Sequence, residues 1–436
     1  MPTRIEFVSR PNARVRDLGV RIANVSDRFL LYALFSLLLL GTLANATHQD
    51  WPEFALLAAP AGLLLLWCMN QIRSGKLHLK HNPLYLPILS FGFLILFQII
   101  FHRSAYRYDT FSAGLRYFTY GVFFFLTVQC LKTVKEAELF FTLSACFGGA
   151  LAFFTLVQGV MPSAPGAQVF HGPYVNHSLY AGLMEMLTPF PLVASLRREI
   201  RIEWRALYAF AAILMAVSIF FSKSRGGMVA FLIQAVFVTV YLVTRSKTHT
   251  PGLLSLGVSA LILIMVVALG GGKLLESLGN LQDATRLTIV KDSLRMVRDR
   301  PIAGWGLGTF STVYPQYKSF YTDYLINEAH NDYVQVLVET GLIGLAITIW
   351  FLFVLYRSSL RGMRQPEDGR PIALAALVGC TGIVVHSLTD FNMQVTSNAS
   401  LFYVLCALAT TELQFTGHIT KLHRRSVLSS PPRGIV

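Results

Sequence analysis

The chain of 436 residues is 54% hydrophobic and only 14% charged, whereas the surface of a soluble domain needs about a quarter charged residues. That composition excludes a soluble globular protein and indicates a polytopic membrane protein. Its net charge of +14 is no nucleic-acid footprint, because the basic residues cluster in short connections between apolar runs, the pattern that orients a protein in a membrane.

The first apolar run begins near Phe29, behind an arm that carries Arg4, Arg10, Arg14, Arg16, Arg21 and Arg28. An arm of that length is too long for the n-region of a cleaved signal peptide, so residues 1–28 lead into an uncleaved membrane helix. A spanning helix needs about 20 mostly apolar residues. Such runs fall at 29–46, 54–70, 84–101, 110–131, 138–161, 177–196, 205–222, 227–244, 252–271, 340–358, 371–389 and 398–415. Cys68, Cys130, Cys146, Cys380 and Cys406 lie inside these runs without metal-type spacing, and read as small core residues.

Twelve spans put both termini on one side. The short loops there hold Arg73, Lys76, Lys80, Lys132, Lys135, Arg197, Arg198, Arg201, Arg205, Arg245, Lys247, Arg357, Arg361, Arg364 and Arg370. Opposite short loops hold only Arg103, Arg107, Lys223 and Arg225, so the N-terminal side is cytoplasmic. The expected architecture is an all-α polytopic membrane protein. Its parts are a cytoplasmic arm (1–28), nine helices (29–271), a large periplasmic loop (272–339), three helices (340–415) and a cytoplasmic tail (416–436). The tail's Ser-Ser-Pro-Pro-Arg-Gly stretch has the composition of disorder, and no internal repeat is found.

Ionisable groups within spans are costly and tend to mark function. Arg116 lies in the fourth span, where it either snorkels toward the outer headgroups or binds a ligand. Asn176 and His177 open the sixth span from outside, Asn176 with the chemistry of a helix cap. Arg225 occupies the very short outer turn Ser222-Lys223-Ser224-Arg225-Gly226-Gly227, whose glycines would permit close approach by a ligand. His386 and Asp390 stand one turn apart at the outer end of the eleventh span, as a buried pair able to orient an arginine.

Within the large loop, Asp283 can cap a helix over about 284–299, with Leu287, Val290, Leu294 and Val297 as an apolar stripe. Arg286 lies at the edge of that stripe, turned toward protein or membrane, while Lys291, Arg295 and Arg298 point away from it. Pro301-Ile302-Ala303-Gly304-Trp305-Gly306-Leu307-Gly308 has turn-forming glycines without the strand that a dinucleotide-binding motif requires. Tyr314, Tyr317, Tyr321 and Tyr324 follow at helical spacing, as packing residues or a sugar-stacking wall. Val334, Leu337, Val338 and Leu342 place an apolar stripe on a helix running into the tenth span, with His330 at its start. A neutral imidazole there can take a proton from a sugar hydroxyl near neutral pH.

His330-Asn331, nine residues, then Gly341-x-x-Gly344 resembles the signature His-[Asn/Ser/Gln]-x9-Gly-x-x-[Gly/Thr/Tyr] of the O-antigen ligase and polymerase superfamily, bacterial inner-membrane glycosyltransferases that use polyprenyl-diphosphate glycans. The stretches Gly172 to Gly182, Ser224 to Gly227 and His386 to Phe391 are similar to recurring segments of that superfamily. The resemblance implies a fold similar to the GT-C membrane glycosyltransferases, with His330 as base and Arg225 and Arg286 on the donor diphosphate. Arg116 joins them as a further diphosphate candidate, and Asn176, His177, Asn331, Glu339, His386 and Asp390 as substrate-binding or supporting residues. One departure is that the ligases' arginine-x3-leucine element reads Arg286-x3-Val290.

The reaction expected on this resemblance moves a glycan from undecaprenyl diphosphate to the lipid A-core sugar at the periplasmic face, with inversion. No cofactor or metal is expected, since the outer loops lack Asp-x-Asp, and Asp50 and Glu53 read as ordinary loop polars. A polymerase, joining a second lipid-linked repeat with the same donor chemistry, is the alternative. A lipid-linked-sugar flippase would instead place charges along a midplane path and show related halves.

Overall fold

The structure is a computed structural model and describes residues 13–45, 50–75, 79–160, 171–174, 176–245, 281–363 and 370–413. The expected ninth span (252–271), the arm before residue 13 and the tail lie outside these residues. Among the described residues the fold is all-helical, apart from one isolated bridge between His171 and Tyr174.

In chain order the helices are α1 (Ala13–Asn45), α2 (Asp50–Ser74), α3 (Tyr85–Ile100), α4 (Arg107–Cys130), α5 (Val134–Val160), α6 (His177–Leu187), α7 (Pro189–Leu196), α8 (Ile202–Phe221) and α9 (Arg225–Arg245). Then follow α10 (Leu281–Asp299), the short α11 (Phe310–Val313), α12 (Asp332–Gly362), α13 (Arg370–His386) and α14 (Thr396–Thr410). Among the described residues seven segments are long and apolar enough to cross a membrane, and α3, α13 and α14 are shorter apolar helices. One start differs from expectation, since α1 begins within the expected arm, while α12 begins at Asp332, next to His330, as the stripe from Val334 predicts. Pro189 and Pro191 interrupt the ladder at Thr188, which divides the sixth span into α6 and α7.

The centre of the bundle is α6, α7, α13 and α14. Leu374 to Ile383 of α13 is buried without a break, as befits a helix that is apolar all round and rich in small residues. Helix α13 packs against α6, α7, α9 and α14, so it holds the far ends of the chain together. Peripheral α2, by contrast, exposes Leu65, Leu66, Met69 and Ile72, the surface expected of a lipid-facing helix.

Helix α12 is not continuous as its periodicity predicts. Gly341 adopts φ 66°, ψ −166° and breaks it. Segment Pro301 to Gly306 fills the break: Leu342 N–H donates to Pro301 O (2.8 Å), Ile343 N–H to Ile302 O (3.2 Å), and Trp305 and Gly306 N–H to Val338 and Glu339 O (3.0 and 2.9 Å). Gln98 of α3 completes the repair by donating to Ala303 O and Glu339 O (2.8 and 2.9 Å) and accepting from Leu307 N–H (3.1 Å). Broken helices survive at membrane depth only where their freed backbone groups are satisfied in this way.

A Cβ at Gly341 would fall 2.2 Å from Ile302 O, in a backbone conformation that L side chains rarely adopt. Gly341→Ala is therefore expected to destabilise the protein by about 1–3 kcal/mol. Thermal unfolding in detergent measures this, and an unchanged melting temperature would show the break to be tolerant.

Candidate active site

The site is built on the turn Ser387 to Phe391 that follows α13. Asn331 caps α12 by accepting from the N–H groups of Tyr333 and Val334 (both 3.0 Å), and its amide donates to Leu388 O (2.8 Å). Asp332 adds a second clamp, accepting from Ser387 Oγ (2.7 Å), Met393 N–H (3.1 Å) and Gln394 Nε2 (3.3 Å). Two adjacent residues thus fasten the start of α12 to the α13–α14 connection, and fix His330 just before them. His330 itself has φ 52°, a strained backbone for a residue with a side chain.

Three side chains meet there. His330 Nδ1 lies 3.9 Å from Asp390 Oδ1, within ion-pair reach but beyond hydrogen-bond distance, and its ring stands edge-on to Phe391 at 5.1 Å. Arg286 of α10 approaches Asp390 Oδ2 at 3.6 Å and donates to Thr389 O at 3.1 Å. Side-chain exposure falls from 37% at Arg286 and 29% at His330 to 2% at Asp390. Burial raises the Asp390 carboxyl, but contacts from His330 and Ser178 and the charges of Arg286 and His386 outweigh it and hold the group down to about 2.

The other expected residues divide into neighbours and outliers. Arg225 opens α9 directly after the turn, and His177 lies within electrostatic reach of Asp390, Arg286, His386 and Arg225. Asn176 caps α6, accepting from Ser178 N–H at 2.8 Å. His386 faces away from Asp390 toward a buried carboxylate, Glu185, at 2.9 Å, so the expected His386–Asp390 pair is two separate contacts. Glu339 sits beneath the glycine turn, accepting from the N–H groups of Gly308 (2.9 Å) and Phe310 (3.3 Å). Arg116 pairs with Glu53 at 3.7 Å and, with Tyr117, Tyr120, Asp332 and Glu339, lines a neighbouring cavity of about 200 Å³. Glu53 is thus part of helix α2 and not of a loop.

Two expectations from periodicity need correction. The buried face of α10 is Ile289, Asp292, Ser293 and Met296, while Leu287 and Leu294 are exposed. Asp292 decides this by accepting from Tyr314 Oη (3.3 Å) and from Ser319 N–H and Oγ (both 3.0 Å), so a satisfied polar group forms part of the small core. The tyrosine row also splits: Tyr314 stacks on Phe310 and Tyr317 packs on Trp305, while Tyr321 and Tyr324 are exposed. Gly226 and Gly227 admit protein rather than ligand, because a Cβ would fall 2.3 Å from Thr389 Oγ1 at the first and 2.8 Å from Ala181 Cβ at the second.

Sequence reasoning missed Asp332, Ser178, Glu185 and Glu328. Burial raises the Glu328 carboxyl, opposed by a hydrogen bond with Gln335 and by the charges of His330 and Arg116, which both act on it. Its place two residues before His330 was the available signal. Chemically, the cluster offers a half-exposed guanidinium and a half-exposed imidazole steadied by one buried carboxylate, an arrangement suited to binding an anion beside a proton acceptor.

The folded Asp390 value lies below its ordinary 3.8, so its contacts contribute stability that is present above that value and is lost as pH falls toward 2. Asp390→Asn is expected to flatten the fall in melting temperature between roughly pH 5 and pH 2. Parallel slopes for variant and wild type would remove Asp390 as the anchor.

A family model described as O-Antigen ligase matches residues 210–349, a range that contains Arg225, Arg286 and His330. No curated protein sequence matches the chain significantly. Its apolar helices make the chain a multi-pass membrane protein, and over residues 210–349 it is similar to the O-antigen ligase family, the superfamily that its His330 motif resembles.

Proposed function

We propose that this protein transfers a glycan from undecaprenyl diphosphate to the sugar core of lipid A, at the periplasmic face of a bacterial inner membrane. The observation that carries the reading is that Arg286 and His330, from segments far apart in sequence, are held on the same buried carboxylate, Asp390. Arg225 opens the helix packed against that same turn. Guanidinium groups remain charged and give forked hydrogen bonds to phosphate oxygens, so Arg225 and Arg286 are suited to a diphosphate at headgroup level.

In the proposed step an acceptor hydroxyl attacks the anomeric carbon of the donor. Its bond to that carbon forms as the bond from the carbon to the diphosphate oxygen breaks, with inversion. The hydroxyl proton passes to His330, and the electron pair leaves on undecaprenyl diphosphate, whose growing negative charge the arginines stabilise. Asp390 holds the imidazole and Arg286 in mutual register. Arg116, paired with Glu53 in the cavity that Asp332 and Ser387 also line, is the further candidate for the diphosphate.

A reconstituted assay with an undecaprenyl-diphosphate glycan tests the reading. Product is expected on lipid A-core, undiminished by chelator; product only on a second lipid-linked repeat would make the enzyme a polymerase. His330→Ala is expected to lower turnover by about 10²–10⁴-fold with donor binding retained, and activity close to wild type would remove the base. Arg225→Lys should cost at least about tenfold in turnover, since an ammonium cannot reproduce the fork. Near-normal rates would leave Arg225 as a membrane anchor.

A further inference from the structure

Inside the bundle, Glu185 of α6 and His386 of α13 are both 0% exposed, with Oε1 and Nδ1 2.9 Å apart. The approach lies off the hydrogen-bond axis, and among the described residues no other donor reaches either Glu185 oxygen. An ionisable pair in such surroundings is costly, and apolar residues of similar volume would fill the space at least as well. What an apolar pair would not do is orient the imidazole.

The imidazole's other nitrogen leads to the site. His386 Nε2 lies 3.3 Å from Ser224 Oγ, which donates to Ser178 Oγ at 3.2 Å and accepts from Gly227 N–H at 3.2 Å. Ser178 in turn bonds the Asp390 carboxylate. Ser224 belongs to the turn that opens α9 at Arg225, and its neighbour Lys223 is in the left-handed region at φ 62°. The two glycines after Arg225 sit directly on the pair: a Cβ at Gly226 would fall 2.6 Å from His386 Cδ2, and one at Gly227 2.9 Å from Glu185 Oε1. Gln234 of α9 ties the same level together, donating to Glu185 O and Val378 O, both at 2.9 Å.

We propose that the Glu185–His386 pair is a positioning device, which sets through Ser224 and Ser178 the placement of the Arg225 turn and of Asp390. The carboxylate fixes the ring, the ring fixes the Ser224 hydroxyl, and the hydroxyl locks a strained turn that has only two glycines behind it. Neither Glu185 nor His386 touches substrate. The assignment rests on the diphosphate role proposed for Arg225, yet it has a readout independent of turnover.

Glu185→Leu removes the acceptor while keeping volume, and Glu185→Gln keeps an acceptor oxygen for the imidazole. Backbone hydrogen exchange over residues 224–228 and 387–390 is the first measurement, on the full-length protein in detergent. Exchange is expected to speed up in Glu185→Leu and to return to the wild-type pattern in Glu185→Gln. Kinetically, Glu185→Leu should raise the donor KM by about tenfold, leaving the acceptor KM unchanged, because misplacement by about 1 Å costs that much or more. Ser224→Ala cuts the link without opening a cavity, and should show the same donor-specific loss even if Glu185→Leu fails to fold. Wild-type exchange in Glu185→Leu and Ser224→Ala, or equal damage from Gln and Leu, would overturn the proposal. If the exchange changes appear in a protein that transfers no glycan, the positioning role stands and the glycosyl-transfer reading falls.

Discussion

A buried carboxylate with its charge retained organises this protein. Asp390 is nearly inaccessible, and burial works against its ionised form; it stays ionised because His330, Arg286 and Ser178 reach it from three separate segments, with the charge of His386 adding to theirs. Withdrawing any of these partners leaves an undercompensated charge in the interior, which costs far more than an exposed ion pair contributes. The same contacts that keep the charge also decide where a basic helix, a histidine and the start of α6 must stand. Stability and the geometry of the site therefore share one origin.

That arrangement needs a rigid base, and the break in α12 supplies it. A helix running straight through Gly341 would leave the glycine-rich turn 301–308 without a seat. Because the helix is interrupted, the turn makes four backbone hydrogen bonds to its broken ends, and Gln98 adds bonds of its own to both. Glu339 closes the other side by accepting from the N–H groups of Gly308 and Phe310. The polar segment 281–331 is thereby fastened to the membrane helices at both of its important points, at Arg286 on the Asp390 turn and at Pro301 to Gly308 on α12. Its small core, with Met296, Phe310, Tyr314 and Val338, spans the same junction.

Much of this was legible in the chain. Apolar runs placed α2 to α9, α13 and α14 to within a few residues, because a helix in a membrane must bury its own backbone bonds over a nearly fixed length. The spacing from His330 to Gly341 marked the helix start and the later glycine, and the very short turn before α9 was also visible, with Arg225 as the first residue of the helix. Periodicity failed at α10, where Asp292 faces inward because Tyr314 and Ser319 wait for it, and a wheel that counts only apolar residues assigns the opposite face. It failed again for Glu185, one acidic residue within an apolar helix with nothing nearby in sequence to pair with.

Local sequence therefore determined which segments are helices, where they end and which residues carry usable chemistry, since length, capping and hydropathy act over a few turns. Only the tertiary structure decided that Arg286 and His330 share Asp390, that His386 turns to Glu185, and that Arg116 pairs with Glu53. Those pairings join residues as much as 201 positions apart, from Glu185 to His386. They are settled by whichever arrangement leaves no buried charge without its partner, a condition on the whole bundle that no stretch of sequence meets alone.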